Sequence, residues 1–421
     1  MFSLLNIRVG WFLAWRQVRR TSRWTTSLIV FVMLLTFLNL VAVSGLLVGI
    51  VDGISNLYRQ QETGDVILKT PVSKNYIEHS SDILAFLKTL PQVKNIAPRY
   101  VSSGMIEANY KTRTDYTDKP NETAAVIVGV DIEGEQALAG VASYIGEGSY
   151  FAPGDYDQII IGSQLVDRYA FGGDIFPNIS VLRNVYPGTK VRVTINGQTR
   201  EMTVKGIIVT TANSPLAAKV LIPGYELRQL MGRDDFNLSQ IAIDLNPGTD
   251  PGAFTSLLKR SGVGADADVL TYTEAIPNGV DEVRRTFQQI GTAISSVGLV
   301  VASITIFIVI FINALTRRKF IGILKAIGIS GEAIEIAYMF QSFFYAAVGS
   351  AIGLAILYGF LVPYISAHPI VLPISHAILV APIAETIPRV ILLVVATVIA
   401  GYLPARMIVR KNTLDSILGR E

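Results

Sequence analysis

TSLIVFVMLLTFLNLVAVSGLLVGI, residues 26–50, holds no charged residue in 25 positions. A helix crosses the hydrocarbon core of a bilayer in about 20 apolar residues, so this stretch is long enough to span with some tilt. Three further runs of the same kind follow at 290–315, 336–362 and 387–405, and only the last carries a charge, Arg389 near its start. An arginine so placed reaches an interface while its stem stays in lipid. A soluble core of four buried helices is the poorer reading, because charge-free runs of this length mark membrane spans. The first run follows a basic segment, as a signal peptide does, but its apolar stretch far exceeds the roughly 7–15 residues of a signal sequence. It is expected to stay as an uncleaved helix.

Between the first run and the second lies a block of ordinary soluble composition. The chain of 421 residues is 50% hydrophobic and 16% charged, against roughly 25% charged in a soluble protein, and its mean hydropathy is +0.44. Residues 51–288 hold 28 of the 33 acidic residues and 22 of the 36 Lys and Arg, so the block is negative by six and its flanks are positive by nine. The overall pI near 8.9 therefore averages an acidic domain with a basic membrane part. It does not describe a nucleic-acid binder. The absence of cysteine excludes disulfides and Cys-based metal sites. A domain of roughly 240 residues buries its own core without such staples.

Positive residues orient the spans. Arg8, Arg16, Arg19, Arg20 and Arg23 precede the first run. Arg317, Arg318, Lys319 and Lys325 lie between the second and third, and Arg406, Arg410, Lys411 and Arg420 follow the fourth. The loop 363–386 has no Lys or Arg. Cytoplasmic segments are enriched in both, so both termini are expected in the cytoplasm and the large domain outside. The expected layout is a cytoplasmic amphipathic helix (1–25), transmembrane helices at 26–50, 289–315, 331–362 and 387–405, an extracytoplasmic domain with stalk helices (51–288), a cytoplasmic helix (316–330), an outer loop (363–386) and a cytoplasmic tail (406–421). In the first of these, Trp11, Phe12, Trp15 and Trp24 alternate with arginines, as in a helix lying on the inner leaflet with its rings at headgroup depth.

The fold class is thus a membrane protein of one plus three transmembrane helices with a large α/β extracytoplasmic domain inserted after the first. Strands are expected at 65–69, 124–131, 158–161, 190–195, 200–210, 240–245 and 268–272, each rich in Val, Ile and Thr and bounded by turn residues. Asn196-Gly197 reads as a tight hairpin turn. Helices are expected at 82–90, 163–169, 224–231 and 251–260, the last with Asp250 as cap and Pro251 at its first position. Residues 273–289 and 52–61 read as helical continuations of the neighbouring spans. Two such stalks would transmit motion, against the plainer reading of a passively anchored domain.

No catalytic, cofactor or metal site emerges. His79, His368 and His376 are scattered, and neither HExxH nor GxSxG occurs. The acidic residues show no metal-loop spacing. No GxxxxGK[ST] loop is present, so ATP would have to be bound by a partner chain.

The loop between the second and third runs reads TRRKFIGILKAIG, residues 316–328. Phe320, Ile323, Leu324 and Ile327 follow helical spacing, Gly328 stands where a helix ends, and Ser330 with Glu332 can cap the next helix. Such a short amphipathic helix lies on a membrane surface or fills a partner's groove. The stretch resembles the coupling loop of FtsX/MacB-like permeases, the type VII ABC transporter family. The likeness runs through Arg317, Arg318, Ile321, Gly322, Ile323, Leu324, Ala326, Ile327 and Gly328. The family's acidic residue is replaced here by Phe320, which implies an apolar plug in place of a salt bridge. Gln341, where the family often has a polar residue, and Gly349 and Gly353, at GxxxG spacing, add to the likeness in span three. Pro404-Ala405 opens a tail similar to the family's closing motif, from which Ile408, Thr413 and Ser416 depart. Residues 127–131, 155–161 and Gly162-Ser163 resemble the periplasmic core domain of MacB and of the lipoprotein-releasing permeases LolC and LolE, closest in layout because MacB carries its ATPase on the same chain.

The resemblance implies a non-catalytic permease subunit of the bacterial inner membrane. Residues 317, 318 and 320–328, with Lys325 among them, would form the helix that docks on a P-loop ATPase of the LolD/MacB-like type. A second permease copy or paralogue would complete a dimer, in contact with membrane lipid and an envelope or periplasmic protein. Lipoprotein or lipid release, drug or peptide efflux, and signalling to a cell-wall hydrolase share this mechanism. Tyr110–Asn121 is a candidate partner loop. A membrane-anchored sensor or adhesion protein without ATPase is the reading of another class.

Overall fold

The computed structural model describes residues 4–20, 22–111, 119–170, 180–211, 214–276, 278–371 and 376–410. Two compact units emerge: Met1–Ile50, Glu282–Ile370 and Ala377–Glu421 form one, and Val51–Asp281 with Val371–His376 forms the other. The helices are α1 (Leu4–Arg20), α2 (Arg23–Leu38), α3 (Ser44–Tyr58), α4 (Ser80–Thr89), α5 (Ile132–Ala139), α6 (Gly224–Leu230), α7 (Pro251–Arg260) and the single turn α8 (Tyr272–Ala275). They continue as α9 (Asn278–Thr316), α10 (Arg318–Ala326), α11 (Gly331–Ile356), α12 (Val362–Ala367) and α13 (Ile383–Val409). The strands are β1 (Val66–Lys69), β2 (Val93–Ala108), β3 (Glu122–Val130), β4 (Ile145–Gly148), β5 (Gln158–Gly162) and β6 (Lys190–Ile195). After them come β7 (Gln198–Ile208), β8 (Lys219–Pro223), β9 (Gln240–Leu245), β10 (Asp268–Thr271) and the short pair β11 (Ile370–Val371) and β12 (His376–Ala377).

Four helical stretches are long and apolar enough to cross a membrane: Arg23–Thr63, Glu282–Thr316, Gly331–Ala367 and Ile383–Val409. The chain is a multi-pass membrane protein with one span before, and three after, a large extracytoplasmic α/β domain. Each stretch outruns its apolar run, because hydrogen bonding carries the helix on through polar residues. π-Helical turns link α2 to α3 (Asn39–Val43), follow α3 (Arg59–Thr63) and link α11 to α12 (Leu357–Leu361). The outer loop is therefore shorter than the composition implied: helix reaches Ala367, and of the rest, 372–375 lie outside the described residues. Arg389 does not snorkel free, since it donates to Ser44 Oγ at 3.0 Å and to Glu385 at 3.3 Å.

Lipid offers no hydrophobic drive for helix association, so close backbone approach over small residues does the packing. A methyl group at Gly349 would stand 2.5 Å from Met33 Cβ, and one at Gly353 would stand 2.2 Å from the Phe37 ring. Gly401 faces Ser342 in the same way, and Gly298 faces Asn39. Gly353→Leu is accordingly expected to destabilise this unit by about 1–3 kcal/mol, read as a lower melting temperature of the detergent-solubilised chain. Gly359→Leu, at a position with nothing within 4 Å, is the matched control and should melt as the parent does.

In the other unit β2, β3, β8, β5, β7 and β6 pair in a closed ring, and β9, β1 and β10 extend the sheet from the first part of β2. The ring closes over Ile106, Ile127, Ile159, Val191, Met202 and Val220. A second core lies where α4 and α7 cover β1, β9 and β10, and a third where α5 packs. Asn196 and Gly197 both take positive φ, 49° and 80°, at the β6–β7 hairpin, as the I′ turn requires. Asp250 accepts from Ala253 N at 2.7 Å to cap α7. The helix expected at 163–169 reduces to a three-residue turn, Ser163–Leu165. Val166 leaves it to form a bridge with Leu182, where it is fully buried. Sequence patterning missed β2, β4 and β8.

Candidate functional site

Arg317 lies between α9 and α10, and the helix α10 ends in a Schellman motif. Ile329 N donates to Leu324 O at 3.0 Å, Gly328 N donates to Lys325 O at 3.1 Å, and Gly328 takes φ 96°. Glycine adopts that left-handed conformation without a Cβ penalty. Ser330 Oγ then caps α11 by accepting from Ala333 N at 3.2 Å. The reversal between α10 and α11 is thus shaped first by local bonds.

Ile321 and Gly322 are buried against the spans. Phe320, Ile323 and Ile327 point the other way and are 68%, 50% and 70% exposed. Lys319, Ala326 and Gly328 are exposed beside them, while Arg317, Arg318 and Leu324 are half-buried. Lys325 donates to Val409 O at 2.7 Å, satisfying an end carbonyl of α13. Asn6 reaches the same turn from α1: its Nδ2 donates to Glu332 at 3.0 Å and its Oδ1 accepts from Ser330 Oγ at 2.9 Å. The apolar stripe is therefore carried on a helix tied to α1, α11 and α13. No sequence signal marked Asn6, whose partners lie 326 and 324 residues away.

Gln341 is fully buried in α11, where its Nε2 donates to Tyr345 Oη at 2.8 Å. Gly349 and Gly353 lie one and two turns beyond Tyr345 on the face packed against α2. Residues 317–328 and these three form two groups, one at the α10 turn and one within the helix packing. Helix α1 runs along α11, with Trp11 edge-on to Phe340 and Trp15 edge-on to Phe344 at centroid distances of 5.1 and 6.4 Å. Residues 411–421, including Thr413 and Ser416, lie outside the described residues.

A cluster that the sequence did not announce sits in the inserted unit. Arg99 of β2, 2% exposed, makes two bonds of 2.7 Å to the Glu135 carboxylate of α5 and donates to the Glu62 carbonyl. Lys219 of β8 pairs with the Glu62 carboxylate, and Ser214 bonds Gln61. Arg59 meets Asp65 at 2.5 Å, and Asp65 accepts from Leu245 N at 2.9 Å. Burial works against the Arg99 charge, but the carboxylates of Glu135 and Glu62 outweigh it and hold the guanidinium above its ordinary value.

The same unit has an open groove of about 510 Å³ at the C-terminal ends of the parallel strands β3 and β8, lined by Tyr100, Val130, Pro223, Tyr225, Arg228 and Phe236. Of the candidate loop Tyr110–Asn121, residues 112–118 lie outside the described residues. Tyr110 and Lys111 at its start are fixed to Glu201, whose carboxyl is held down at about 2 by hydrogen bonds from Lys111, Lys190 and Tyr110. His79 pairs with Asp266 and His368 stacks on Tyr364. Among the described residues no group of three His, Asp or Glu could hold a metal ion.

Residues 292–413 match the family described as FtsX-like permease C-terminal. No curated protein matches the chain. Among solved structures, the extracellular domain of the noncanonic ABC-type transporter YknZ from Gram-positive bacteria is similar at 15% identity, covering 49% of this chain and 99% of that one with a TM-score of 0.32. The periplasmic region of MacB from Actinobacillus actinomycetemcomitans is similar at 15% identity, covering 55% and 95%, TM-score 0.33. A domain of a putative permease protein from Porphyromonas gingivalis is similar at 17% identity, covering 52% and 96%, TM-score 0.32.

Proposed function

We infer, from the match of residues 292–413 to the FtsX-like permease C-terminal family, that the chain is an FtsX/MacB-like permease, the membrane subunit of an ABC transporter driven by a separate P-loop ATPase. Permeases of this family are non-catalytic. The observation that carries the reading is the α10 stripe: Phe320, Ile323 and Ile327 are exposed on a helix anchored by Lys325 and followed by the Asn6 latch. An exposed apolar anchor on a rigid support is what a partner groove takes up. Both termini and α10 stand on the cytoplasmic side in this reading, where nucleotide is available. ATP-driven closure of two ATPase subunits would displace two such helices in a permease dimer, and the long spans would carry the movement to the outer domains. The exposed face of α9, with Ile294, Val297, Val301 and Ile304, supports a second permease copy or lipid as its neighbour. Release of a lipoprotein or lipid, or export of an apolar or peptide substrate, fits the aromatic groove beside Arg228.

Affinity purification of the tagged chain in mild detergent, followed by mass spectrometry, tests the reading. Recovery of a small P-loop ATPase supports it, and any lipoprotein, tunnel or hydrolase that accompanies the pair identifies the task. An ATPase absent across several detergents would overturn it in favour of an anchored sensor.

A further inference from the structure

We propose that the groove between α1 and the α11–α13 pair is a binding site for an anionic phospholipid, with an acyl chain in its cavity and the phosphate on Arg8. The cavity measures about 230 Å³ and is lined by Ile7, Ile336, Met339, Phe340, Phe343 and Val398, every one apolar. Its walls α11 and α13 belong to stretches apolar enough to cross a membrane, where the solvent is hydrocarbon and a dry cleft fills with lipid chain. Phe343 and Ile7 are 46% and 38% exposed, so the cleft opens to the outside of the unit.

The charge that α1 brings to this cleft has one sign, although Glu332, bonded to Asn6, and Glu335, beside Ile336, stand on the facing turn of α11. Helix α1, LLNIRVGWFLAWRQVRR, carries Arg8, Arg16, Arg19 and Arg20 and no carboxylate. All four arginines are exposed, and among the described residues no carboxylate pairs with them. Arg8 adjoins Ile7 of the cavity wall. Trp11, one turn on, packs edge-on to the wall residue Phe340. Trp15 continues the aromatic edge, and the Arg19 guanidinium lies 4.8 Å from its ring centre. Tryptophan and arginine together mark headgroup depth. The four arginines of α1 outnumber Glu332 and Glu335, and a zwitterionic headgroup leaves that cationic excess without net compensation, whereas an anionic phosphodiester supplies it.

The protein's three tryptophans are Trp11, Trp15 and Trp24, so Trp24→Phe leaves only the two that border the groove. The full-length Trp24→Phe chain, in detergent, would be titrated with phosphatidylglycerol or phosphatidylcholine brominated on identical acyl chains, and quenching followed. Phosphatidylglycerol is expected to quench at lower mole fraction, and Arg8→Gln to reduce that preference about fivefold. Arg20→Gln, a turn or more beyond the aromatic edge, should leave most of it. Val398→Phe, which fills the cavity, should weaken quenching by both lipids. Inorganic phosphate should not displace the lipid. Equal quenching by both lipids, equal effects of Arg8→Gln and Arg20→Gln, unchanged quenching in Val398→Phe, or displacement by phosphate would each overturn the site. No nucleotide or ATPase enters the experiment, so its failure leaves the permease reading untouched.

Discussion

Arg99→Met is expected to destabilise the inserted unit by about 3–5 kcal/mol, the usual consequence of removing one partner from a buried ion pair. Glu135, 1% exposed, would lose both guanidinium bonds with no water to replace them. The Glu62 carbonyl would lose its donor as well. A domain whose whole stability is roughly 5–15 kcal/mol cannot absorb such a loss unnoticed. Hydrogen exchange measured on the full chain should show faster exchange in β2, α5 and the π-helical turn Arg59–Thr63. Arg99→Met combined with Glu135→Leu removes both charges and leaves apolar surface in their place, so it should recover most of the loss. Parental exchange in Arg99→Met alone would show that the pair contributes nothing to the fold.

The cluster matters beyond its energy because of the elements it joins. Glu62, Gln61 and Arg59 belong to the last turn of the helical stretch that starts at Arg23, and Arg99, Lys219 and Asp65 belong to the sheet or its edge. In the permease reading this joint passes force from helix to sheet. A joint made of directed bonds transmits rotation, where a greasy contact would slide.

Hydrocarbon length made the spans legible from residue order, since nothing else explains 25 uncharged positions in succession. The turn at Asn196-Gly197 and the cap at Asp250 were legible because both are local. The strand β2 was not. Pro98, Arg99 and Gly104 interrupt its alternation, and its two ends serve different neighbours, β9 first and β3 with β6 later. Arg99 read in isolation is a solvated cation. Its partners Glu62 and Glu135 lie 37 and 36 residues away, and Lys219 meets Glu62 across 157, so only the folded chain assembles the cluster. At α10 the amphipathic spacing could be read, but the bonds from Asn6 and to Val409 come from distant ends of the sequence.

Ile323→Asp is expected to abolish ATPase association while the chain inserts and melts as the parent does. Ile323 is half exposed and belongs to no buried core cluster, so a carboxylate there meets water in the isolated chain. In a docked complex the same carboxylate would be buried without a partner, on a surface whose central anchors typically contribute 2 kcal/mol or more, roughly a 30-fold change in affinity. Co-purification of the ATPase and its stimulation by the permease are the readouts. Ile321→Asp is the structural contrast: Ile321 is 4% exposed, and its substitution should lower the melting temperature first. Phe320→Glu decides how the surface works. If Phe320 is an apolar plug, glutamate there weakens docking as Ile323→Asp does; if the groove carries a cation for the family's acidic residue, glutamate strengthens it. ATPase binding that survives Ile323→Asp and Phe320→Glu alike would remove α10 from the interface altogether.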